Sequence, residues 1–378
     1  MEEGLFQRPQ QLMSCFAHLG LPVLFLGNVG WKRAGSLWTR GKGRGVMGRC
    51  KYLHLPYSPF GGSGRQISSL FLEHAIKRHF NQQMIKQDFA NILWICHPSF
   101  ARFACQTDPD LVVYDIMDRF AGFRASPSDI TRQEAEAYTR ADLIFAGGHS
   151  LAEAARRDLG KLGIEKPVYC FPSGVDLDHF ARNIELDAAD VGTLGFLSRP
   201  VLGYFGAVDE RIDFELLAEV ARMRPTWSIV LIGPVITAIP PLPANICLLG
   251  PRSYAELPRL MQIFDVSLIP FRQTELVAHV SPTKTPEYLA GGKPVISTPI
   301  PDVIHDYGDV VSIAENASEL VAEVEKLLAE PPDPQALREV AKTRARTWMA
   351  IARQMISLVE KTLRERPLSP RGEKSVRV

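Results

Sequence analysis

Short apolar runs alternate with amphipathic stretches along most of this chain. The runs Asn91–Cys96, Leu111–Asp115 and Val168–Phe171 predict buried strands, because each is short, apolar and bounded by turn residues. Between such runs, segments such as Thr131–Arg140 place apolar residues at helical spacing. This alternation of strands and helices predicts an α/β fold built on a doubly wound parallel sheet.

A second series of the same kind follows residues 187–200, which show no clear period. Its predicted strands are Pro200–Gly206, Ser228–Ile232, Ile246–Leu249, Val266–Ile269, Pro294–Thr298 and Val311–Ala314. One long helix is predicted over Leu337–Leu363, with an apolar stripe that must be buried against another surface. The chain therefore predicts two sheets in series, and ligands are expected in the crevice outside the carboxyl ends of their strands.

The composition indicates the class of protein and the cellular compartment. The chain has 378 residues, of which 46% are hydrophobic and 22% charged, as in globular proteins. Its six cysteines are scattered without a C-x-x-C pair, which argues against a zinc site or a disulfide framework and favours the reducing cytosol. Residues 227–251 carry no charge, but interruption by Pro234, Pro240, Pro241 and Pro243 makes two strands and a loop a better interpretation than a membrane helix. We expect a cytoplasmic protein.

The net charge of +1 conceals a strongly basic segment, Gly4–Leu72, which contains no acidic residue. Its basic residues are Arg8, Lys32, Arg33, Arg40, Lys42, Arg44, Arg49, Lys51 and Arg65. A one-signed segment attracts anionic surfaces, and we expect peripheral contact with an anionic membrane on its inner face. The alternative is a solvated loop. Nucleic acid is not expected as a partner, because no recognised binding motif accompanies the charge.

The richest candidate chemistry lies in Ser281–Thr298, which reads S-P-T-K-T-P-E-Y-L-A-G-G-K-P-V-I-S-T. A turn, a short helix and a strand are predicted here, and free N–H groups at a helix start attract anions. Lys284 adds a positive charge beside that start, and Glu287 can accept hydrogen bonds from a sugar diol. A nucleoside diphosphate offers both groups. The alternative interpretation is an ordinary helix and strand with a surface lysine and glutamate.

Five segments in order resemble motifs of GT-B-fold glycosyltransferases, close to the family-four and family-one nucleotide-sugar transferases. They are the first-helix motif Phe6–Leu12, the strand and acidic loop Tyr114–Asp118, the interdomain segment Phe171–Phe180, the glycine loop Leu202–Arg211 and the donor-binding signature Ser281–Thr298. The resemblance covers most of the chain. It implies two Rossmann-like domains with a C-terminal helix that crosses back to the first.

Domain limits follow from the same resemblance. Residues 1–185 are expected to form the acceptor-side domain, residues 198–340 the donor domain, residues 341–364 the crossing helix and residues 365–378 a disordered tail. The family usually opens with a strand before the first-helix motif, whereas this sequence begins almost at that motif. Two alternatives stay open: either the start of the sequence is truncated, or the acceptor-side sheet lacks its first strand.

The resemblance also implies roles for individual donor-site residues. Glu287 would bind the ribose hydroxyls, and Arg211 and Lys284 would neutralise the departing pyrophosphate. Ser281 and Thr283 would donate hydrogen bonds to its oxygens. The remaining two are Gly206, which would let the backbone approach the donor, and His149, which would contact its phosphate. For Arg211 the alternative is a salt bridge with Asp209 or Asp213.

A general base must take the proton of the acceptor hydroxyl in an inverting reaction. Asp118 is the first candidate and Asp115 the second, because both lie at the end of a strand that faces the crevice. The alternative is that one of them caps the turn that begins near Arg119. Fixed positive charges can stabilise the leaving diphosphate, so neither a metal nor another cofactor is expected.

The predicted function is therefore transfer of a sugar from a nucleotide-diphosphate sugar to a glycan, lipid-linked or small-molecule acceptor. Two alternatives stay open. One is an inactive or weakly active nucleotide-sugar-binding partner protein, and the other is a nucleotide-sugar epimerase of similar fold.

Overall fold

The computed structural model describes residues 7–30, 44–47, 50–57, 90–104, 109–123, 126, 128–182, 184 and 194–365, with backbone alone at 24–30, 44–47, 50–57 and 103. Its strands are β1 Val23–Gly30, β2 Arg44–Met47, β3 Cys50–Tyr57, β4 Ile92–Ile95, β5 Leu111–Ile116, β6 Leu143–Ala146, β7 Val168–Cys170, β8 Val201–Phe205, β9 Ser228–Ile232, β10 Ile246–Gly250, β11 Val266–Ile269, β12 Val295–Ser297 and β13 Ser312–Ile313. Residues 4–6, 31–43, 48–49 and 58–72 of the basic segment and the tail after Glu365 lie outside these residues.

The described α-helices are short and regularly interleaved with the strands. They are α1 Arg8–His18, α2 Ile130–Arg140, α3 His149–Lys161, α4 Leu177–Phe180, α5 Phe214–Met223, α6 Leu257–Leu260, α7 Lys284–Ala290, α8 Pro301–Tyr307, α9 Ala317–Ala329, α10 Pro334–Arg344 and α11 Trp348–Glu365. Single 3-10 turns occur at Pro98–Phe103, Phe120–Gly122, Tyr254–Glu256, Met261–Ile263 and Val277–His279. None of the helices in the described part of the chain is long and apolar enough to cross a membrane.

The first half of the chain forms a four-stranded sheet in the order β4-β5-β6-β7, and all of its strands are parallel. A separate three-stranded sheet has the order β1-β3-β2, in which β2 runs antiparallel to β3. All six residues of β5 are buried, as expected for a central parallel strand covered on both faces. Side chains of α2 and α3 cover one face of the four-stranded sheet.

The second half forms a six-stranded parallel sheet in the order β10-β9-β8-β11-β12-β13. The order reverses beside β8, so the crevice at the carboxyl end of this strand lies where doubly wound sheets bind ligands. Helices α5 and α9 contribute buried side chains to the core of this sheet. The strands of these two parallel sheets agree closely with the predicted ones, and the α/β architecture with two parallel sheets in series is confirmed. The strands β2 and β3 of the separate three-stranded sheet were not predicted.

The C-terminal segment returns to the first sheet, as predicted. On α11, Trp348 and Met355 are buried with Phe16 of α1 and Phe145 of β6. The prediction of one continuous helix over Leu337–Leu363 is wrong, because α10 ends at Arg344 and α11 begins at Trp348. The backbone C=O of Arg346 instead accepts a hydrogen bond of 3.0 Å from the Val175 N–H.

Candidate functional site

The crevice between the two sheets is lined by loops that leave the carboxyl ends of β5 and β8. Asp118 lies two residues beyond the end of β5, and Gly206 directly follows β8. The loop after Gly206 carries Arg211, whose Nη1 lies 4.0 Å from Oδ1 of Asp118. Residues from the two halves of the chain are therefore brought together at one place.

Helix α7 delivers Lys284 to the same place, directly against Gly206. A Cβ built on Gly206 would lie 2.3 Å from Cε and 2.7 Å from Nζ of Lys284. The φ of Gly206 is +140°, a conformation that side-chain-bearing residues rarely adopt. Two independent features, the backbone conformation and the space, thus require glycine where the lysine ammonium approaches the loop.

Lys284 and Glu287 form a buried pair of opposite charges on α7. Glu287 is only 6% exposed. Burial, followed by the positive charge of Arg211, lowers the pKa of Lys284, although Glu287 opposes this shift. Burial raises the pKa of Glu287, and Lys284 opposes that shift. The two groups are held in an environment that penalises their charges, which favours binding of a ligand that supplies polar partners.

Arg211 is held by a bidentate pair with Asp209. Its Nε lies 3.0 Å from Oδ1, and its Nη2 lies 2.5 Å from Oδ2. The salt bridge to Asp209 considered above is therefore present, whereas Asp213 instead caps α5 through the Leu216 N–H. Burial lowers the pKa of Arg211, but the Asp209 hydrogen bond and nearby negative charges outweigh it and raise the pKa overall. The pair orients the guanidinium while Nη1 faces Asp118.

Asp118 lies in an environment that raises the pKa of its carboxyl group. Burial raises its pKa to about 6, against the opposing effect of Arg211. Its carboxylate side chain is 18% exposed. The turn that begins near it is Phe120–Gly122, whose N-cap is Arg119 and not Asp118. A carboxyl group that titrates near neutrality can both accept and release a proton in the working pH range.

Asp115 faces a different environment and is not placed to act as a base. Its side chain is 1% exposed and pairs with Arg8, whose Nη2 lies 2.9 Å from Oδ1. Nε of Arg8 donates to the same carboxylate at 3.1 Å, and Nη1 donates to the Phe171 C=O at 2.8 Å. The first-helix motif and the strand of the acidic loop are thus joined by a buried ion pair. We therefore retain only Asp118 as the candidate base.

The predicted hydroxyl donors flank the start of α7. Thr283 is its N-cap residue, and its side chain makes no capping hydrogen bond. The backbone C=O of Ser281 accepts a 3.2 Å hydrogen bond from Oγ of Ser173 in the first half of the chain. Both residues therefore border the crevice near Lys284, and their contact with a donor stays a prediction.

His149 lies in another part of the interface. Its Nε2 is 3.3 Å from Oδ1 of Asp306, and its ring centroid is 4.1 Å from that of His305. Its other ring nitrogen is 3.8 Å from Sγ of Cys170. These contacts are with α8 and β7, and a Cβ on the preceding Gly148 would lie 2.7 Å from Cβ of Ser281. The predicted contact of His149 with the donor phosphate stays a prediction.

The sequence interpretation missed the groups that hold the site together. Asp209 was considered only as an alternative partner, although its spacing of two residues from Arg211 allows the observed pair. Tyr204 and Phe271 were not proposed, yet Nζ of Lys284 lies 5.3 Å and 5.9 Å from their ring centroids. Arg211 lies 5.6 Å from the Phe271 ring. Aromatic faces can hold both cations in place when no anion is bound.

The arrangement suits a ligand that carries negative charge and a diol. Two cations, Lys284 and Arg211, stand close enough for their repulsion to lower the pKa of the lysine. An anion placed between them would relieve this repulsion. Asp118 and Glu287 are the neighbouring carboxyl groups, and both have raised pKa values.

Comparison with known proteins agrees with this geometry. Residues 199–330 match the family model described as "Glycosyl transferases group 1", and the match includes the β8 loop and α7. A curated relative is the putative teichuronic acid biosynthesis glycosyltransferase TuaH of Bacillus subtilis (strain 168). It is 27% identical over 289 residues, which is 70% of this chain and 70% of the relative.

Solved structures show the same fold. Sucrose-phosphate synthase from Thermosynechococcus elongatus superimposes with a TM-score of 0.72 at 15% identity, over 93% of this chain and 92% of that protein. Anabaena Alr3699/HepE, solved in complex with UDP and glucose, gives a TM-score of 0.67 at 14% identity over 95% and 98% of the two chains. At these identities the likeness concerns the fold alone.

Proposed function

We propose that this chain is a GT-B glycosyltransferase that transfers a sugar from a nucleoside-diphosphate sugar to a glycan or lipid-linked acceptor. A uridine nucleotide is the first candidate for the donor, because a protein of the same fold was solved with UDP and glucose. The observation that carries the proposal is the buried cluster of Lys284, Glu287 and Arg211 beside the glycine loop that follows β8.

The donor is expected to bind through complementary charge. Lys284 and Arg211 contact the diphosphate. Its negative charge lies between the two cations and offsets their mutual repulsion. Glu287 accepts hydrogen bonds from the ribose hydroxyls, which are neutral donors that a buried carboxylate can hold. The close approach of Gly206 to Lys284 supports this arrangement, because it places the glycine-loop backbone beside the ammonium group that would contact the diphosphate.

The transfer step requires a stabilised leaving group and an activated acceptor. The departing nucleoside diphosphate gains negative charge, and cations fixed in a buried crevice stabilise that charge in the transition state. Asp118 takes the proton from the acceptor hydroxyl, since its pKa of about 6 leaves it ionised at neutral pH. In this scheme the protein's own cations, and not a bound metal, meet the diphosphate.

The acceptor and the place of action are inferred from the Bacillus relative and from the basic segment. The name of the Bacillus relative refers to teichuronic acid biosynthesis, which favours an acceptor that belongs to a growing polysaccharide. The basic segment Gly4–Leu72 would hold the protein against the anionic inner face of the membrane, where lipid-linked acceptors are found. Flotation with anionic and neutral vesicles tests this part, and equal partition into both would contradict it.

Calorimetry with UDP tests the donor site. Loss of a charged partner costs about 1.5–3 kcal/mol, so Glu287→Gln and Lys284→Met are each expected to weaken binding roughly 10- to 150-fold. Glu215→Gln is the matched control, since Glu215 lies in the same domain and its side chain is 89% exposed. Unchanged affinity in both site variants would refute the donor site.

Product analysis tests the reaction. A transferase consumes a UDP-sugar in proportion to the acceptor added, and the released UDP and the glycosylated acceptor appear together. An epimerase would convert the donor without acceptor, and a binding protein would consume none.

A further inference from the structure

We propose that His149, His305 and Asp306 form a transition-metal site that joins the two halves of the protein. His149 is the first residue of α3, which follows β6 of the first sheet. His305 and Asp306 lie on α8, which follows β12 of the second sheet. His149 is also a predicted donor contact, but the metal proposal rests on the three side chains and does not depend on the proposed function.

The three side chains converge on one point. A ring nitrogen of each histidine and a carboxylate oxygen of Asp306 all lie within 4.8 Å of one another. Oδ1 of Asp306 lies 2.7 Å from Nδ1 of His305 and 3.3 Å from Nε2 of His149. The carboxylate therefore stands between the two imidazoles and can act with both as a ligand.

Buried contacts around the cluster hold α3 against α8. Oδ1 of Asp302, one turn before Asp306, accepts a 2.9 Å hydrogen bond from the Ser150 N–H at the start of α3. Asp302 is 3% exposed, and its other carboxylate oxygen is buried without a partner among the described residues. A Cβ on Gly148 would lie 2.1 Å from that oxygen, so the helix start and Asp302 are in close contact.

Cys170 sets the orientation of the His149 ring. Its Sγ lies 3.8 Å from Nδ1 of His149, on the opposite side of the ring from Asp306. Nε2 is thereby turned toward Asp306 and His305. Metal-bound histidines usually have their second nitrogen engaged by a neighbouring group, which fixes the ring. A thiol in this position can serve as such a neighbour.

The donor set selects the class of metal. Two imidazoles and one carboxylate suit Zn²⁺ and related divalent transition metals, whereas Mg²⁺ and Ca²⁺ prefer oxygen ligands alone. The side chains of His149 and His305 are 39% and 61% exposed, so water can reach the remaining coordination positions. Since the ligands come from both halves of the protein, the bound metal favours the arrangement in which α3 and α8 touch.

Cobalt titration of the full chain, freed of metal by a chelator, tests the site. Co²⁺ reports an imidazole–carboxylate site by its visible absorption, and Zn²⁺ should displace it. The wild type is expected to bind one equivalent at this site. His149→Ala and His305→Ala should each weaken binding by at least about 10-fold, since even loss of an outer-shell partner costs that much.

The control is His18→Ala, which removes an exposed histidine from the end of α1. This variant should bind Co²⁺ like the wild type. Zn²⁺ should also raise the melting temperature of the wild type and of His18→Ala, but not that of either site variant. The proposal is overturned if the wild type binds no Co²⁺, if either site variant binds it as tightly, or if His18→Ala loses binding equally.

Discussion

Replacement of Gly206 by alanine is the sharpest test of the donor crevice. The added Cβ would lie 2.3 Å from Cε of Lys284 and 2.9 Å from the Tyr204 hydroxyl oxygen, whereas ordinary contacts are 3.4–4 Å. The tyrosine is fully buried, so the lysine must move, by at least about 1 Å. Displacements of that size within a catalytic site can cost about 100-fold in rate.

The substitution is expected to lower both the stability of the fold and the affinity for UDP, and the two effects can be measured separately. The φ of +140° imposes a backbone cost of about 1–3 kcal/mol on the folded state. Displacement of Lys284 removes a charged contact with the diphosphate, which corresponds to about 1.5–3 kcal/mol or roughly a 10- to 150-fold loss of UDP affinity. Thermal denaturation reports the first part, and calorimetry with UDP on the folded variant reports the second.

Gly163→Ala is the matched control for the backbone part. Gly163 follows α3 with a φ of +66°, and a Cβ there meets nothing within 4 Å. This variant should lose some stability and keep the full affinity for UDP. A folded Gly206→Ala protein that binds UDP like the wild type would refute the reasoning, because Lys284 would then not contact the diphosphate.

Three further predictions concern the base, the buried ion pair and the last helix. Asp118→Asn should lower turnover about 10²- to 10⁴-fold. In the wild type, protonation of Asp118 should make kcat/KM fall below pH 6, and this fall should be absent in the variant. Arg8→Met leaves Asp115 charged and buried, so denaturant unfolding should show a loss of about 3–5 kcal/mol, against at most about 1 for the exposed Arg132→Met. Met355→Ala should cost about 2–5 kcal/mol and increase hydrogen exchange in the first sheet; unchanged exchange there would contradict the packing of α11.

The sequence was sufficient to predict the elements whose identity depends on local pattern. The strand Leu111–Asp115 appears as Leu111–Ile116, and the helix Thr131–Arg140 as Ile130–Arg140. In each case the apolar period and the flanking residues act within a few positions. The strand Arg44–Met47 was missed, because the glycine-rich stretch around it predicts a loop.

Contacts between distant segments could not be predicted in this way. Arg8 and Asp115 are 107 positions apart, and no local pattern reveals that a basic residue of α1 neutralises the strand carboxylate. The same holds for the contact of Ser150 with Asp302, which are 152 positions apart. The sequence therefore indicated Asp115 as a second candidate base, and only the three-dimensional arrangement assigns its charge to a structural pair.

The two kinds of contact between the halves of the protein suggest how the crevice opens. The apolar contact lies where α11 buries Trp348 and Met355 against the first sheet, and opening it would expose hydrophobic surface. The contacts nearer the crevice are polar, such as Ser150 with Asp302 and Arg211 with Asp118, and water can replace them. The chain leaves the first half near Val175 and returns to it near Arg346. At this crossing the Val175 N–H donates a hydrogen bond to the C=O of Arg346. We therefore expect rotation about this pair of segments, with α11 fixed on the first sheet and the polar contacts exchanged during donor entry.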